Sequence, residues 1–535
     1  MTNHERETED NRFSKNPSLK KRLTVATAIM IGSVFLSRIM GLIREQVLAI
    51  YGGTSFEIDA YVTAFFVPEL LNHFLAGGFL SVTFIPIYQR YLARKDPVGS
   101  SECFSNLITI GSVFFAILIP LAMYFTPEIL GLMGSHIADP AHRSVTVRLT
   151  RIILPAQILF YWGALLSAVQ MAHLRFLLPA LAPLFYNLGI IAGGLLLGPA
   201  LGIEGFAWGV LGGALVGNFI IQIPGAIRAG ILYRPRFNLT HPDFIQYVKL
   251  TLPLILGLGL TFSNEIFFRF FGSFLGEGGT ASINYALRTM MMVVAIFGQA
   301  SGVAFFPFLS SLAVKNEFKQ MTELLNSVLT KIALYLLPLS GLMIVLSPQI
   351  IGVLFQHGNF GADSTAATAP VLSFYLLGAF SFSAVMIIAR SFYALQNTIL
   401  PMVVSTAAAL LSIPLYWIFS GMMGASGIAL AAALSMTAQF LMLYLTWFRR
   451  YRDLQSTAKF SQTLFKSAMI TCIGAGLAWG IKTAMGMFHF DSHHLIGNIL
   501  IIAASSIPAL AVVFFLYEMM GLQRFKESIK VLFRR

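Results

Sequence analysis

The sequence predicts an all-α polytopic membrane protein with about 14 transmembrane helices, in two pseudo-symmetric six-helix lobes followed by two C-terminal helices. Of its 535 residues, 56% are hydrophobic and only 11% are charged, whereas soluble globular proteins carry about 25% charged residues. Apolar runs recur from end to end, each long enough to cross a bilayer core of about 30 Å. Several short motifs also recur at one nearly constant offset.

Fourteen apolar segments are candidate spans. The first 22 residues are polar and lack the pattern of a signal peptide, so we expect them to form a cytoplasmic tail. Cys103 and Cys472 both lie in apolar spans and predict neither a disulfide framework nor a metal site. The candidate spans are residues 24–50, 57–88, 104–126, 145–174, 177–199, 203–229, 243–272, 281–312, 321–346, 365–395, 399–420, 424–448, 463–486 and 495–520.

Lysine and arginine are distributed unevenly between the two predicted membrane faces. They are concentrated before helix 1 and after helices 2, 6, 8, 12 and 14. This positive-inside pattern, together with the even number of helices, predicts that both termini are cytoplasmic. The net charge of +13 therefore reflects topology and attraction to anionic lipids and does not indicate nucleic-acid binding. Five of the opposite loops contain no lysine or arginine: 51–56, 200–202, 275–280, 347–364 and 421–423.

Three pairs of motifs predict an internal repeat. The pairs occur in the same order in both parts of the chain; their prolines and glycines lie 221 or 222 residues apart, and the two SAV tripeptides lie 216 apart. Any one match is weak, but three in order are fairly strong. The pairs are TFIPIY (83–88) with AFFPFL (304–309), SAV (167–169) and Pro179 with SAV (383–385) and Pro401, and LGIEGFA (201–207) with MGASGIA (423–429).

The repeat divides the chain after the tail, 1–22. Residues 23–236 form an N-terminal lobe with helices 1–6, 237–450 form a C-terminal lobe with helices 7–12, and 451–535 hold helices 13 and 14 and a basic cytoplasmic C-terminus. Because six is even, both lobes enter the membrane from the cytoplasm, as parallel repeats do in transporters that rock two halves around a central site. We therefore expect a transporter; the alternative is an old duplication without mechanical consequence.

Three arginines within predicted spans are the main candidates: Arg38 and Arg44 in helix 1, and Arg288 in helix 8. An arginine at the centre of a spanning helix costs about 2.5–3.5 kcal/mol on insertion scales, so it usually faces a bundle interior or a watery cavity. Arg38 and Arg44 point about 120° apart and can share only a broad cavity. For Arg44 the alternative is snorkelling to the outer interface, and for Arg38 it is a purely structural role. Arg288 has no acid within one turn, which predicts that it is available to a ligand.

The three arginines predict an anionic ligand. Guanidinium groups make paired, charge-assisted hydrogen bonds to phosphate or carboxylate. A large anion attached to a lipid fits both a cationic cavity and its apolar walls. Asn284, one turn before Arg288, is predicted to assist. Glu265 and Arg269 in helix 7 are four residues apart and predict an intrahelical salt bridge, so they are secondary candidates.

Helix 2 contributes further candidate substrate-binding residues. Asp59 lies near its outer end, and Glu69 and His73 are four residues apart on one face, with Asn72 beside them. A Glu69–His73 pair predicts a pH-responsive group in the cavity. A mutually satisfied structural pair is an equally good interpretation.

Four motifs resemble those of the MurJ (MviN) lipid II flippases of bacteria, within the superfamily of polysaccharide flippases and multidrug exporters. The resemblance covers helices 1–12 in order, and fourteen helices is the usual count of that family. Arg38 and Arg44 match its helix 1 arginines, Arg288 its helix 8 arginine, and Asp59 the acid that opens helix 2. The motifs are SRIMGLIRE (37–45), DAYVTAFFVPELL (59–71), GGFLSVTFIPIY (77–88) and YALRTM (285–290).

The resemblance implies translocation of lipid II, the undecaprenyl-diphosphate-linked peptidoglycan precursor, from the inner to the outer leaflet of the bacterial cytoplasmic membrane. It implies alternating access, a diphosphate held by cavity arginines, a lipid tail along helices 13 and 14, and coupling to the membrane potential. No cofactor is implied, and the sequence contains no phosphate-binding glycine loop with its lysine. The implied partners are lipid II, membrane lipids and other cell-wall synthesis proteins.

The sequence departs from the family in helix 2. Asn72 and His73 stand where the family usually has two arginines, and we predict that His73 and Glu69 partly substitute for them. A flippase for another lipid-linked polysaccharide therefore stays open as an alternative. A cationic-drug exporter is disfavoured because arginines repel cations. A membrane-embedded glycosyltransferase is disfavoured because the outer loops are short, and a non-transporting scaffold for cell-wall enzymes is about equally disfavoured.

Overall fold

A computed structural model describes residues 17–72, 79–133, 139–258, 263–487 and 495–522. Within those ranges the chain forms helices and connecting turns and contains no β-strand, which confirms the predicted all-α class. Most of the predicted tail (1–22), and the basic C-terminus beyond residue 522, lie outside the described residues.

The first part of the chain runs from α1 to α11. A π-helical turn, Leu215–Ile220, joins α9 to α10. The helices are α1 (Pro17–Gly52), α2 (Phe56–Ala64), α3 (Phe66–Leu71), α4 (Phe79–Ala93), α5 (Pro97–Gly131), α6 (Pro140–Ile153), α7 (Ala156–Ala172), α8 (Leu177–Leu201), α9 (Glu204–Ala214), α10 (Gln222–Arg228) and α11 (Pro242–Leu258).

The second part runs from α12 to α22. A π-helical turn, Ala295–Ala300, joins α13 to α14. The helices are α12 (Ser263–Gly272), α13 (Gly279–Val294), α14 (Ser301–Val314), α15 (Phe318–Val345), α16 (Ser347–Phe355), α17 (Ala362–Leu377), α18 (Ala379–Ala394), α19 (Ile399–Met423), α20 (Ala425–Tyr451), α21 (Leu454–Met487) and α22 (Leu495–Met519).

The helical segments follow the predicted spans in order. Ten helices among the described residues are long and apolar enough to cross a membrane, and the pair α17–α18, bent by 42°, makes eleven. These correspond to predicted helices 3–6 and 8–14. Predicted helix 1 lies within α1, helix 2 covers α2 to α4, and helix 7 covers α11 and α12. The last two also include segments outside the described residues.

The chain divides into two compact units. One comprises residues 1–48, 63–132 and 137–259, and the other comprises 49–62, 133–136 and 260–535. The predicted lobe boundaries at 236 and 450 follow the internal repeat and stay a prediction.

The repeat is visible in the backbone as well as in the motifs. Positive φ is uncommon outside glycine, yet four pairs of positive-φ positions recur 221 or 222 residues apart next to helix ends, and two of these pairs contain no glycine. The two halves therefore end corresponding helices in the same way. The pairs are Lys95 (φ 55°) with Asn316 (57°), Leu174 (58°) with Gln396 (58°), Gly202 (63°) with Gly424 (59°), and Gly230 (89°) with Arg452 (35°).

Glycine allows α8 and α9 to pack with their backbones in contact. A Cβ atom on Gly209 would lie 2.6 Å from the Gly189 carbonyl oxygen, and one on Gly193 would lie 2.5 Å from the Gly205 carbonyl oxygen. Membrane helices use small residues in this way because close van der Waals packing replaces the hydrophobic driving force that lipid does not supply. A Cβ atom on Gly212, which lies on the same helix as Gly209, would meet no described neighbour within 4 Å.

The start of α11 is tied to the end of α4. Asp243 accepts a hydrogen bond from the Tyr91 hydroxyl and lies 3.3 Å from Nη2 of Arg90. Burial, reinforced by the hydrogen bond to Asp243, raises the pKa of Tyr91. The tyrosine therefore keeps its proton and donates a hydrogen bond to the carboxylate.

Gly209→Ala should lower the thermal unfolding temperature of the purified protein, because overpacking a close interface costs about 1–3 kcal/mol. Gly212→Ala is the matched control: its methyl group enters open space, and alanine favours the helix. Thermal unfolding in detergent measures both. Equal unfolding temperatures for the two variants would contradict the packing described for α8 and α9.

Candidate functional site

Arg44 is paired with an acid that the sequence analysis did not consider. Its Nη2 atom lies 2.5 Å from Oε1 of Glu45, which is buried, and its Nη1 atom donates to Oδ1 of Asn187 at 3.2 Å. Asn187 lies on α8 and donates in turn to the Pro183 carbonyl. Arg44 is therefore compensated by an acid within its own helix. The adjacent position of Glu45 in the sequence was the available signal.

Arg38 lies six residues earlier on α1 and is exposed in the structure. Arg44 is about one-fifth exposed, so the two helix 1 arginines have different surroundings, as their separation of about 120° predicts. Their roles in substrate binding stay a prediction.

Glu265 joins two arginines of the second unit. Its Oε2 atom lies 3.6 Å from Nη1 of Arg269, which confirms the predicted intrahelical salt bridge. Its Oε1 atom lies 3.3 Å from Nη1 of Arg288 on α13. No acid lies within one turn of Arg288 in the sequence, but Arg288 has an acidic neighbour from another helix, because α12 and α13 bring together residues 23 positions apart. Its availability to a ligand stays a prediction.

Arg269 and Arg288 differ in accessibility. The Arg269 side chain is 3% exposed and also donates to the carbonyl oxygens of Val62 and Glu265. Arg288 and Glu265 are each about one-third exposed. Arg269 is therefore held by fixed contacts, whereas a solvent-borne or lipid-borne anion can approach Arg288.

Asp59 caps the start of α13. Its two carboxylate oxygens accept hydrogen bonds from the backbone N–H groups of Gly278 and Ala281, both at 2.6 Å. The N-terminus of a helix presents unpaired N–H groups and a partial positive charge, so a carboxylate is stabilised there. Asp59 thus makes structural contacts in the second unit; a part in substrate binding stays a prediction.

The remaining predicted site residues are Glu69, Asn72, His73 and Asn284. Glu69 and Asn72 are partly buried at the end of α3, and Asn284 is buried on α13. His73 lies outside the described residues, so the predicted Glu69–His73 pair stays a prediction. Among the residues that are described, no group of three or more His, Cys, Asp or Glu side chains could hold a metal ion.

Arg390 also lies within a predicted span, and the sequence analysis did not consider it. Arg390 on α18 donates to the carbonyl oxygen of Gln299, in the π-helical turn that follows α13, at 3.4 Å. It packs over Gly302, where a Cβ atom would lie 2.4 Å from Nη1 of Arg390. A lone arginine in an apolar run at the end of predicted helix 10 was the signal.

These contacts define two charged groups, one in each unit. The first contains Arg44, Glu45 and Asn187, and the second contains Glu265 flanked by Arg269 and Arg288. Each arrangement offers a guanidinium group that can bind an anion and a carboxylate that neutralises it. That chemistry suits reversible binding of an anion.

The family described as "Lipid II flippase MurJ" matches residues 48–499, which is most of the chain. The chain belongs to this family. The match includes the segments that carry Asp59, Glu265 and Arg288, and it begins after Arg38 and Arg44.

Curated relatives are similar in sequence to this chain along most of their length. A probable lipid II flippase MurJ of Thermotoga maritima is 27% identical over 458 residues, which are 85% of this chain and 89% of the relative. The lipid II flippase MurJ of Burkholderia cenocepacia is 26% identical over 421 residues (77% and 81%). A probable one of Buchnera aphidicola is 28% identical over 412 residues (76% and 80%).

Solved structures show the same fold. A lipid II flippase MurJ in an inward closed conformation is 23% identical with a TM-score of 0.76, covering 92% of this chain and 99% of that one. An inward-facing multidrug resistance MATE family transporter is 14% identical with a TM-score of 0.67, covering 79% and 96%. The fold of the family is thus shared with drug transporters, so the fold alone does not select a substrate.

Asp59→Ala should destabilise the protein, because it removes two charge-assisted hydrogen bonds at a helix N-terminus, worth about 0.5–2 kcal/mol for a capping side chain. Glu57→Ala is the control, since Glu57 lies on the same short helix and makes no hydrogen bond through its side chain within the described residues. Thermal unfolding of the purified variants provides the comparison. An Asp59→Ala variant as stable as Glu57→Ala would show that the cap contributes nothing.

Proposed function

We propose that this chain translocates lipid II from the inner to the outer leaflet of the bacterial cytoplasmic membrane. The observation that carries the proposal is the match of the family to residues 48–499, together with curated relatives that cover more than three-quarters of the chain. The chain acts as a transporter, by alternating access of two lobes around a central substrate.

The diphosphate of lipid II binds the arginines of the spans in this proposal. Arg38, Arg44 and Arg288 are the primary residues, with Asp59, Glu69, Asn72 and His73 as further contributors. Guanidinium groups bind phosphate with two parallel hydrogen bonds. Support comes from the partial exposure of Arg288 and Arg44.

Carboxylates hold the arginines while no substrate is bound. Glu45 neutralises Arg44 and Glu265 neutralises Arg288, which lowers the cost of keeping these cations within apolar spans. A diphosphate carries more charge than one carboxylate and competes for the same hydrogen-bond donors. Binding is then an exchange of partners, so the site releases its substrate without leaving an unpaired charge.

Both termini lie in the cytoplasm in this proposal, because lysine and arginine are concentrated on one predicted side. The partners are lipid II and the lipids of the inner membrane, and contact with other cell-wall synthesis proteins is part of the same hypothesis.

Arg288→Ala and Arg38→Ala should each fail to rescue a bacterium depleted of its own lipid II flippase. Losing a hydrogen bond to a charged group costs about 1.5–3 kcal/mol, which corresponds to a roughly 10- to 100-fold weaker affinity for the diphosphate. Colony formation and exposure of labelled lipid II on the outer leaflet are the measurements.

The control is Arg449→Ala, which removes an exposed arginine from the last turn of α20. It should rescue growth like the unmodified protein. If the unmodified protein is well expressed but exposes no labelled lipid II, the proposed substrate is wrong. If the arginine variants flip normally, only the assigned binding residues are wrong.

Alkaline phosphatase fused after residue 535 should be inactive, because the enzyme folds only outside the cytoplasm, whereas green fluorescent protein at the same position should fluoresce. Phosphatase inserted after Asn359, in the outer loop 347–364, should be active. An active C-terminal phosphatase fusion would reverse the proposed orientation.

A further inference from the structure

The connection between α10 and α11 forms an unusual contact with α5. We call residues 231–239 the connector strand. In the connector strand, the backbone N–H group of every second residue donates to a side-chain hydroxyl of α5. These hydroxyl-bearing residues lie four positions apart on the helix. The bonds run from Leu232 to Ser101 (3.4 Å), from Arg234 to Ser105 (3.0 Å) and from Arg236 to Thr109 (3.4 Å).

This ladder requires an extended chain. Four residues of an α-helix rise about 6 Å, and two residues of an extended strand rise about 6.6 Å. Because the two rises are nearly equal, an extended strand that runs parallel to α5 places three successive N–H donors beside three successive hydroxyl groups. Beyond Arg236 the chain leaves this register, since Asn106, which precedes Thr109 on α5, accepts from the Asn238 N–H at 2.7 Å and donates to the Asn238 carbonyl at 2.9 Å.

The connector strand lies at the polar end of a membrane span. Helix α5 has 35 residues and is therefore about 52 Å long, well beyond the bilayer core of about 30 Å. Its polar residues, Ser101, Glu102 and Asn106 among them, fall in the first three turns. Val113 and Ile117, one and two turns beyond Thr109, are exposed and apolar. The strand thus borders the apolar part of α5 at the level of the lipid headgroups.

The outer side of the connector strand is apolar and cationic. Leu232 is 68% exposed and Phe237 56%, and Tyr233 and Leu239 are also exposed. Exposed aromatic side chains beside arginines are typical of segments at a membrane–water interface. Such a composition in an irregular connection, rather than in a span, requires an apolar neighbour.

Three arginines accompany these side chains, and they differ in their contacts. Arg236 is bound to Glu102 at 2.5 Å and so holds the strand to the helix. Arg228, at the end of α10, and Arg234 are exposed, and no carboxylate of the described residues lies within 4 Å of either. They are available to an external anion.

We propose that the connector strand binds the headgroups of anionic phospholipids. The phosphates bind Arg228 and Arg234, and Tyr233 and Phe237 insert at the boundary of the acyl chains. The cytoplasmic leaflet carries the anionic lipids that attract such arginines. Pro235 lacks the N–H group that an added β-strand would need at the free edge, which disfavours a protein strand as the occupant.

The first test measures lipid selectivity. Full-length protein is titrated with phosphatidylglycerol or phosphatidylcholine, and the bound lipids are counted by native mass spectrometry. Arg228→Gln combined with Arg234→Gln should weaken binding of phosphatidylglycerol about three- to tenfold and leave phosphatidylcholine unchanged. Arg449→Gln combined with Arg450→Gln removes the same charge from the end of α20 and should have little effect. Equal losses in both double variants would overturn the proposal.

The second test locates the strand. Bimane is attached to Tyr233→Cys in a Cys472→Ser background, since Cys103 is fully buried. In vesicles, brominated phosphatidylglycerol should quench the label more strongly than brominated phosphatidylcholine. The Arg228→Gln and Arg234→Gln changes should abolish that difference. A water-like emission that neither lipid quenches would overturn the proposal, as would crosslinking of the same cysteine to a second copy of the chain.

Discussion

The cost of placing charge in an apolar environment governs the arrangement of the spans. Arg44, Arg269 and Arg288 each lie within 4 Å of a carboxylate, and Arg390 contacts a backbone carbonyl. An unpaired guanidinium group in hydrocarbon costs several kcal/mol. These partners are therefore needed for the stability of the folded protein, whatever its function. Glu265 is the clearest case, because one carboxylate serves a fixed arginine and an accessible one.

The same pairing connects stability with transport. A cation that is permanently neutralised cannot bind substrate, and one that is never neutralised destabilises the empty protein. In the proposed function, the partial exposure of Glu265 and Arg288 is what allows an external phosphate to replace the internal carboxylate. Arg269, which is almost fully buried and also bonded to two carbonyl groups, cannot take part in such an exchange and instead fixes α12.

The internal repeat shows that the backbone conformation is retained at corresponding positions whose side chains differ. Leu174 and Gln396 have different side chains but the same φ of 58°, and each is the second residue after the end of an α-helix. The motif similarity between the halves is weak at such positions, yet the backbone geometry is retained.

The sequence alone determined the all-α class, the order of the spans, the repeat and the family resemblance, because apolar length, charge placement and local motifs are properties of short segments. It also predicted the Glu265–Arg269 pair, since four residues is one helical turn. It did not reveal the Glu265–Arg288 pair or the contact between Arg44 and Asn187. Those pairs join residues 23 and 143 positions apart, and only the packing of helices decides which faces meet.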